Sequence, residues 1–313
     1  MLTTYSQQVK NFLCEKTWEK LKEDNSRDRA RFFLYGILLF SGEFGFDKIR
    51  LKCENSNILE LCAYVLINFY DANINIRERK KGESVSYTIS VESPDDIKKI
   101  TDDFGYTSSD VSVYRIKCSP EGENRQYFFR GVFVACGNIH SPQKSYHMEL
   151  ATSHKTLGEE LNSLLEQSGI EAKMTTRRSY YVYYCKDSEK IEDFLMLLGA
   201  ESFAYDVINT RIEKNIKNNL NRVSNFETAN MYKTIDAATV SLSAISYLRE
   251  QGIFESLPEQ LKETARLREE NPELTLAELG RLFERKISKS GVSHRLNKII
   301  TIAREYSDYT LFC

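Results

Sequence analysis

The sequence predicts an α+β N-terminal domain built as an internal pseudo-two-fold repeat, followed by an all-α helix-turn-helix domain. Three observations predict it. A glycine-framed apolar run, YGILLFSG at 35–42, returns as RGVFVACG at 130–137. The segments after each run follow one order of strand-like and helix-like patterns, at an offset of about 95 to 98 residues. Beyond residue 206 the strand alternation stops and helical periodicity takes over, ending in a basic stretch. The domains expected are 1–205, with halves of about 1–110 and 111–205, then a linker and connecting helix over 206–250, then the helix-turn-helix domain over 251–313.

The bulk numbers agree with this division and exclude several classes. A chain of 313 residues fits two domains. An apolar content of 41% with 12% aromatic residues supports a packed core rather than disorder. The net charge is −2, with 27 basic and 30 acidic side chains over 1–205 and 16 and 15 over 206–313, so any nucleic-acid surface must be local. The seven cysteines are odd in number and none has C-x-x-C spacing, which argues against a zinc ribbon or a disulfide framework and fits a reducing cytosol. The start, MLTTYSQQVKNFL, lacks a basic segment followed by a long apolar one, so no signal peptide is expected. The longest apolar run, FFLYGILLF, has nine residues, where a membrane span needs about twenty. A cytoplasmic protein with no membrane partner is expected.

In the first copy, the helix-like RFFLYGILLFSGEF leads to the strand KIRLKCEN, the helix ILELCAYVLINFYDA, the strands NINIRERK and SVSYTISV, and the helix PDDIKKITDDFG. The second copy repeats the order as YFFRGVFVACGNI, SYHMELAT, LGEELNSLLEQSGI, EAKMTTRRS, SYYVYYCKDS and SEKIEDFLMLLGA. Gly36 and Gly42 stand six apart, as do Gly131 and Gly137. Glycine costs about 1 kcal/mol in a helix interior, so two per helix need a reason. A glycine cap explains one copy. Two copies at one offset favour a pair of closely packed helices with all four glycines at their interface.

This pattern resembles the LAGLIDADG homing endonucleases, in which two glycine-framed helices pack together at the centre of a DNA-binding saddle. In that family an acidic residue before each final glycine holds the metals that cleave DNA. Here those positions are Ser41 and Cys136. Glu43 follows Gly42, but its counterpart is Asn138. Two-metal hydrolysis needs hard oxygen ligands from both sides, so no catalytic residue, no metal and no nuclease activity are expected.

The strands leave two readings of their outer faces open. KIRLK places Lys48, Arg50 and Lys52 on one face, and NINIR places Asn73, Asn75 and Arg77 on one face, with Arg115, Lys117, Arg177 and Arg178 adding to the count. Such a face suits phosphates, and it equally suits the solvated side of an antiparallel sheet. The amide-rich NIKNNLNRVSNFETAN reads as a linker entering a helix, with Lys214, Lys217 and Arg222 available to phosphates.

In the last module, LPEQLKETARLREENPE reads as a helix entered at Pro258 and stopped before Pro272. TLAELGRLF follows, opened by a capping box of Thr275 and Glu278. Ser288 is the N-cap expected for the final helix, whose Val292, Leu296, Ile299, Ile300 and Ala303 point inward. Two short helices, a tight link and a longer last helix make a helix-turn-helix. Over 285–304 the chain carries Arg285, Lys286, Lys289, Arg295, Lys298 and Arg304 and no acid. Ser290, His294, Asn297 and Thr301 lie opposite the apolar stripe. Ser and Asn suit base edges and Arg and Lys suit phosphates and guanines, which points to double-stranded DNA as the partner. The DNA-contacting set expected is therefore Arg285, Lys286, Lys289, Ser290, His294, Arg295, Asn297, Lys298 and Thr301.

Both halves together narrow the family. NNLNRVSNFETANMYKTIDAA at 218–238, LPEQLKETARLREENPELTLAELG and ISKSGVSHRLNKI resemble the WhiA proteins of Gram-positive bacteria. The resemblance spans nearly the whole chain and is most specific from Asn218 to Ile299. It implies a degenerate LAGLIDADG-like domain joined to a helix-turn-helix similar to sigma-factor region 4. It also implies a nucleoid-associated, DNA-binding transcriptional regulator of sporulation, cell division or chromosome segregation. The rival reading is an interaction protein that contacts RNA polymerase, another regulator or a division component, with DNA contact secondary. His140, His147 and His154 are seven apart across a loop and a strand, so no zinc site is expected. No G-x-x-x-x-G-K-[ST] or G-x-G-x-x-G occurs, so no cofactor is expected. The oligomeric state is not legible in the sequence.

Overall fold

A computed structural model describes residues 3–82, 84–110 and 112–306. The chain divides into two compact units, Met1–Lys214 and Asn215–Cys313.

The first unit opens with α1 (Tyr5–Asp24), started by a capping box in which Thr4 and Gln7 satisfy each other's backbone. The duplicated element then runs α2 (Arg27–Phe40), β1 (Gly42–Phe44), β2 (Ile49–Cys53), α3 (Ser56–Tyr70), β3 (Ile74–Lys81), β4 (Ser84–Val91) and α4 (Pro94–Asp103). It returns as α5 (Asn124–Cys136), β5 (Gly137–Ile139), β6 (Met148–Thr152), α6 (Lys155–Gln167), β7 (Lys173–Arg177), β8 (Tyr180–Cys185) and α7 (Ser188–Leu197). Each half carries a four-stranded antiparallel sheet, ordered β1-β2-β4-β3 and β5-β6-β8-β7. One topology twice is the pseudo-two-fold repeat.

The paired helices α2 and α5 form the centre of this unit. Both are apolar on nearly every side, as a helix enclosed by protein must be. A β-carbon on Gly36 would stand 2.7 Å from the backbone nitrogen of Val132 and closer still to the Phe128 carbonyl oxygen. One on Gly131 would stand 3.1 Å from the Phe33 carbonyl carbon and 3.2 Å from the Cα of Gly36. The two backbones touch through these glycines, and no other residue fits. Gly42 and Gly137 do not belong to that interface. Both open strands just past the helices, where a β-carbon would meet the Arg50 backbone and the Phe133 carbonyl respectively. A helix–strand corner, rather than a helix pair, excludes their side chains.

The residue before each interface glycine ties its helix to a different neighbour. The Tyr35 hydroxyl lies 2.8 Å from that of Tyr106 and accepts the Lys117 N–H at 2.9 Å. This holds the segment between the halves, so Arg115 and Lys117 sit there and not on a sheet. Arg115 pairs with Glu160 at 2.8 Å, and Lys117 with Asp110. The buried Arg130 donates from Nε to the Leu198 carbonyl at 2.6 Å and from its guanidinium to the Thr17 hydroxyl at 3.4 Å.

The region expected as linker and connecting helix is one helix, α8 (Glu201–Glu250), and the boundary between the units falls within it. Lys214, expected to meet phosphate, donates to the Pro142 carbonyl at 2.6 Å and lies over the Tyr146 ring. The second unit adds a short 3₁₀ turn at Phe254–Ser256, then α9 (Glu259–Glu270), α10 (Leu276–Leu282) and α11 (Lys289–Tyr306). Its own core joins Ala244, Ile245 and Leu248 from the end of α8 to Leu261, Leu279, Val292, Leu296 and Ile299. Residues 307–313 of the module expected over 251–313 lie outside the described residues. No described helix is long and apolar enough to cross a membrane.

Candidate nucleic-acid interface

Helices α9, α10 and α11 assemble the helix-turn-helix through a few local devices. Arg268, 2% exposed at the end of α9, donates from one nitrogen to the carbonyls of Asn271, Pro272 and Leu274, the last at 2.8 Å. Burial lowers its pKa, and the three carbonyl dipoles make the interior charge tolerable. Thr275 and Glu278 form the capping box that starts α10. The turn into α11 is closed by the Ile287 N–H donating to the Gly280 carbonyl at 3.1 Å. A β-carbon on Gly280 would stand 2.5 Å from the Ile287 carbonyl oxygen, so this turn needs glycine. Ser288 then caps α11, its hydroxyl accepting the Gly291 N–H at 3.2 Å.

Val292, Leu296, Ile299 and Ala303 are buried, which fixes the rotation of α11. The opposite side exposes Ser290, His294, Asn297, Lys298 and Thr301, with Lys289 exposed in the first turn and Arg285 and Lys286 in the link before it. Thr301 spends its hydroxyl proton on the Asn297 carbonyl at 2.9 Å, and Ser290 lies 2.9 Å from the Ser288 hydroxyl. His294 and Asn297 are thus the groups on this band best placed to read a base edge. Arg295 departs from the expected set. Its side chain is 21% exposed, lies over the Phe283 ring at 5.2 Å and faces Glu263 at 3.8 Å. Its stem packs beside the apolar stripe, so it braces α11 against α9.

At the ends of the central helices, Ser41 follows the last turn of α2 and Cys136 closes α5. Burial pushes the Cys136 thiol up to about 12. Glu43 is taken by Lys48 at 2.9 Å and by Arg50 at 3.6 Å. A neutral thiol and a hydroxyl do not fit the hard divalent ions that such helix ends hold in nucleases. Among the described residues no three His, Cys, Asp or Glu side chains gather to hold a metal ion. His140 meets Ser145 at 2.9 Å, His147 meets Glu149 at 3.1 Å, and His154 stacks on Tyr114.

The outer sheet faces differ between halves. Register sets Arg50, Ser90 and Asn75 in one row across β2, β4 and β3, and Lys52, Thr88 and Arg77 in the next, on one face of the first sheet, with Arg79 following beside Ser86. The matching face of the second sheet sets Glu149, Tyr184 and Lys173 in one row across β6, β8 and β7. Arg177 on that face is bound by Glu149 at 3.2 Å, and Arg178 lies in the β7–β8 turn. The cationic face is therefore confined to the first half.

Comparisons with known proteins follow the same division. The family model of the WhiA LAGLIDADG-like domain matches residues 125–217, and that of the WhiA C-terminal HTH domain matches residues 220–303. A relative from Clostridium novyi named "Probable cell division protein WhiA" is 33% identical, covering 96% of this chain and 98% of its own. One of the same name from Clostridium acetobutylicum is 31% identical over the same shares. The crystal structure of full-length DUF199/WhiA from Thermatoga maritima is 22% identical, covers 98% of this chain and all of its own, and superposes with a TM-score of 0.59, a likeness of fold.

Proposed function

The chain belongs to the WhiA family, and we propose that it is a non-enzymatic, sequence-specific DNA-binding regulator of transcription that acts in cell division. The observation that carries this reading is the exposed band of α11. It presents His294 and Asn297 toward solvent, flanked by Lys298, Lys289, Arg285 and Lys286, on a helix whose rotation is fixed by its buried face. In the major groove the cations meet phosphates and set register, while Asn297 pairs with an adenine edge and His294 with a purine acceptor. The helix ends at Ser41 and Cys136 offer no carboxylate for a metal, so the first unit serves as scaffold and as an added cationic face through Arg77 and Arg79. Binding to duplex DNA makes the protein nucleoid-associated. Names of relatives support a division role, with chromosome segregation and sporulation as processes linked to septation.

Selection of bound duplexes from a random pool by the full chain tests the reading. An enriched motif is expected, and Asn297→Ala should relax one position within it. Enrichment of no motif refutes sequence-specific binding. Incubation of plasmid with magnesium should give no nicked product above the buffer control, and nicking that survives further purification refutes the non-enzymatic part.

A further inference from the structure

The DNA-binding reading makes no use of a cavity of about 500 Å³ at the foot of the central helices. Its walls come from α1, which lies outside the duplicated element, from the ends of α2 and α5, and from α3, β2, β4 and β5. Lys10 of α1 and Lys52 of β2 both line it, and Glu54 is the one acid on its wall. On the sheet face that carries Lys52, Glu43 pairs with Lys48 and Arg50. Among the described residues neither Lys10 nor Lys52 has a carboxylate within 4.0 Å, although Glu54 acts on Lys10 and Glu43 on Lys52 from farther away.

Three features suit this cavity to an anion. Lys10 is half-buried, and burial lowers the pKa of its ammonium, which Glu54 only partly restores. A cation desolvated without an ion pair is stabilised by whatever anion can reach it. Ser41 lines the cavity and its hydroxyl has no hydrogen-bond partner in the protein, so rotation of the side chain can turn an unspent donor toward an anion. The volume falls in the range of small-molecule sites, roughly 300–1,000 Å³, and is too small for a duplex to enter. Where a nuclease of this architecture needs carboxylates and metal, this chain sets an ammonium beside a thiol and a hydroxyl.

We propose that this cavity binds an oxyanion of the phosphate class, with Lys10 and Lys52 supplying the charge and Ser41 a hydroxyl donor. Two cations less one acid on the wall leave one positive charge, which suits a phosphoryl monoanion. That group is either a free phosphate-bearing small molecule or a phosphodiester of the DNA backbone that reaches the cavity mouth.

Calorimetric titration of the full chain with inorganic phosphate and with pyrophosphate, at fixed ionic strength, tests this. Saturable binding is expected, weakened at least tenfold by Lys10→Met and by Lys52→Gln and unchanged by Lys48→Gln. Lys52 is exposed, so its variant keeps the fold even where the Lys10 variant does not. If the free anions do not saturate but duplex affinity falls in the Lys10 and Lys52 variants and not in Lys48→Gln, the phosphoryl group is that of DNA. Identical behaviour of all variants toward both free anions and duplex overturns the proposal. Substitutions on α11 lie outside the cavity, so this proposal and the helix-turn-helix reading fail independently.

Discussion

Replacing Gly131 by alanine puts a methyl group where the backbone of α2 already stands. The new β-carbon would lie 3.1 Å from the Phe33 carbonyl carbon and closer to its oxygen. Ordinary carbon contacts sit at about 3.5 Å or more, so the helices must part by roughly 1 Å. A gap of that size forfeits about a quarter to a half of the dispersion well for each facing atom pair. Backbone cannot rotate away as a side chain does, so the cost belongs at the top of the overpacking range, about 3 kcal/mol. Alanine returns about 1 kcal/mol through helix propensity. The net loss expected is about 2 kcal/mol, or about 4–8 °C in Tm for a unit of this size. Trp18, the single tryptophan, packs on Tyr64 in the first unit with ring centroids 4.7 Å apart, so its fluorescence follows that unit alone. Gly36→Ala should behave alike. Gly291→Ala is the control, since its nearest atom, the Ser288 hydroxyl, would lie 3.5 Å away. A Gly131→Ala chain that melts with the parent refutes the close packing of these helices.

Three further outcomes are expected. Arg268→Met removes the donor from three loop carbonyls and should cost the second unit about 2–4 kcal/mol, read by far-UV circular dichroism in urea. Burial pushes the Glu149 carboxyl up, but hydrogen bonds from His147 and Arg177 more than offset this and leave it below 4.5. A depressed carboxylate stabilises above its unfolded pKa and loses that contribution as the pH falls through its folded value. Glu149→Gln should therefore be less stable than the parent at pH 7, with the gap closing below about pH 4.5 in a Trp18-monitored pH series. Burial also raises the Cys14 and Cys136 thiols to about 12, so iodoacetamide at pH 7.5 should leave both unmodified in the native protein and label both in urea.

What the sequence revealed and what it concealed have physical reasons. The repeat was legible because Gly36 and Gly131 must be glycine for two backbones to touch, and that requirement marks both copies. Thr275, Glu278 and Ser288 were legible because caps are local chemistry, settled within one turn. Helix α1 gave no clear apolar stripe, because part of its buried side is Ser6, Cys14 and Thr17. The continuity of α8 was hidden by asparagines at 218, 219 and 221, whose side chains compete for backbone in isolation and read as loop. The charge of Arg295 alone suggests a phosphate contact, whereas its stem meets a ring and its guanidinium faces a carboxylate. Nothing in the residue pattern marks Arg268, because an arginine is stable in the interior only where the folded chain brings carbonyls to receive it, here those of Asn271, Pro272 and Leu274.

Fluorescence anisotropy of a labelled duplex with the full chain, over a salt series, tests the α11 reading most directly. Four exposed cations, Arg285, Lys286, Lys289 and Lys298, should give a log–log slope of roughly −3 to −4 from this helix and its link. Any phosphates met by the first sheet would steepen it. Lys289→Ala with Lys298→Ala should weaken binding and reduce the slope by about 2, while Arg295→Ala should leave the slope unchanged. A slope untouched by the Lys289 and Lys298 pair would contradict the account and remove α11 from the DNA interface.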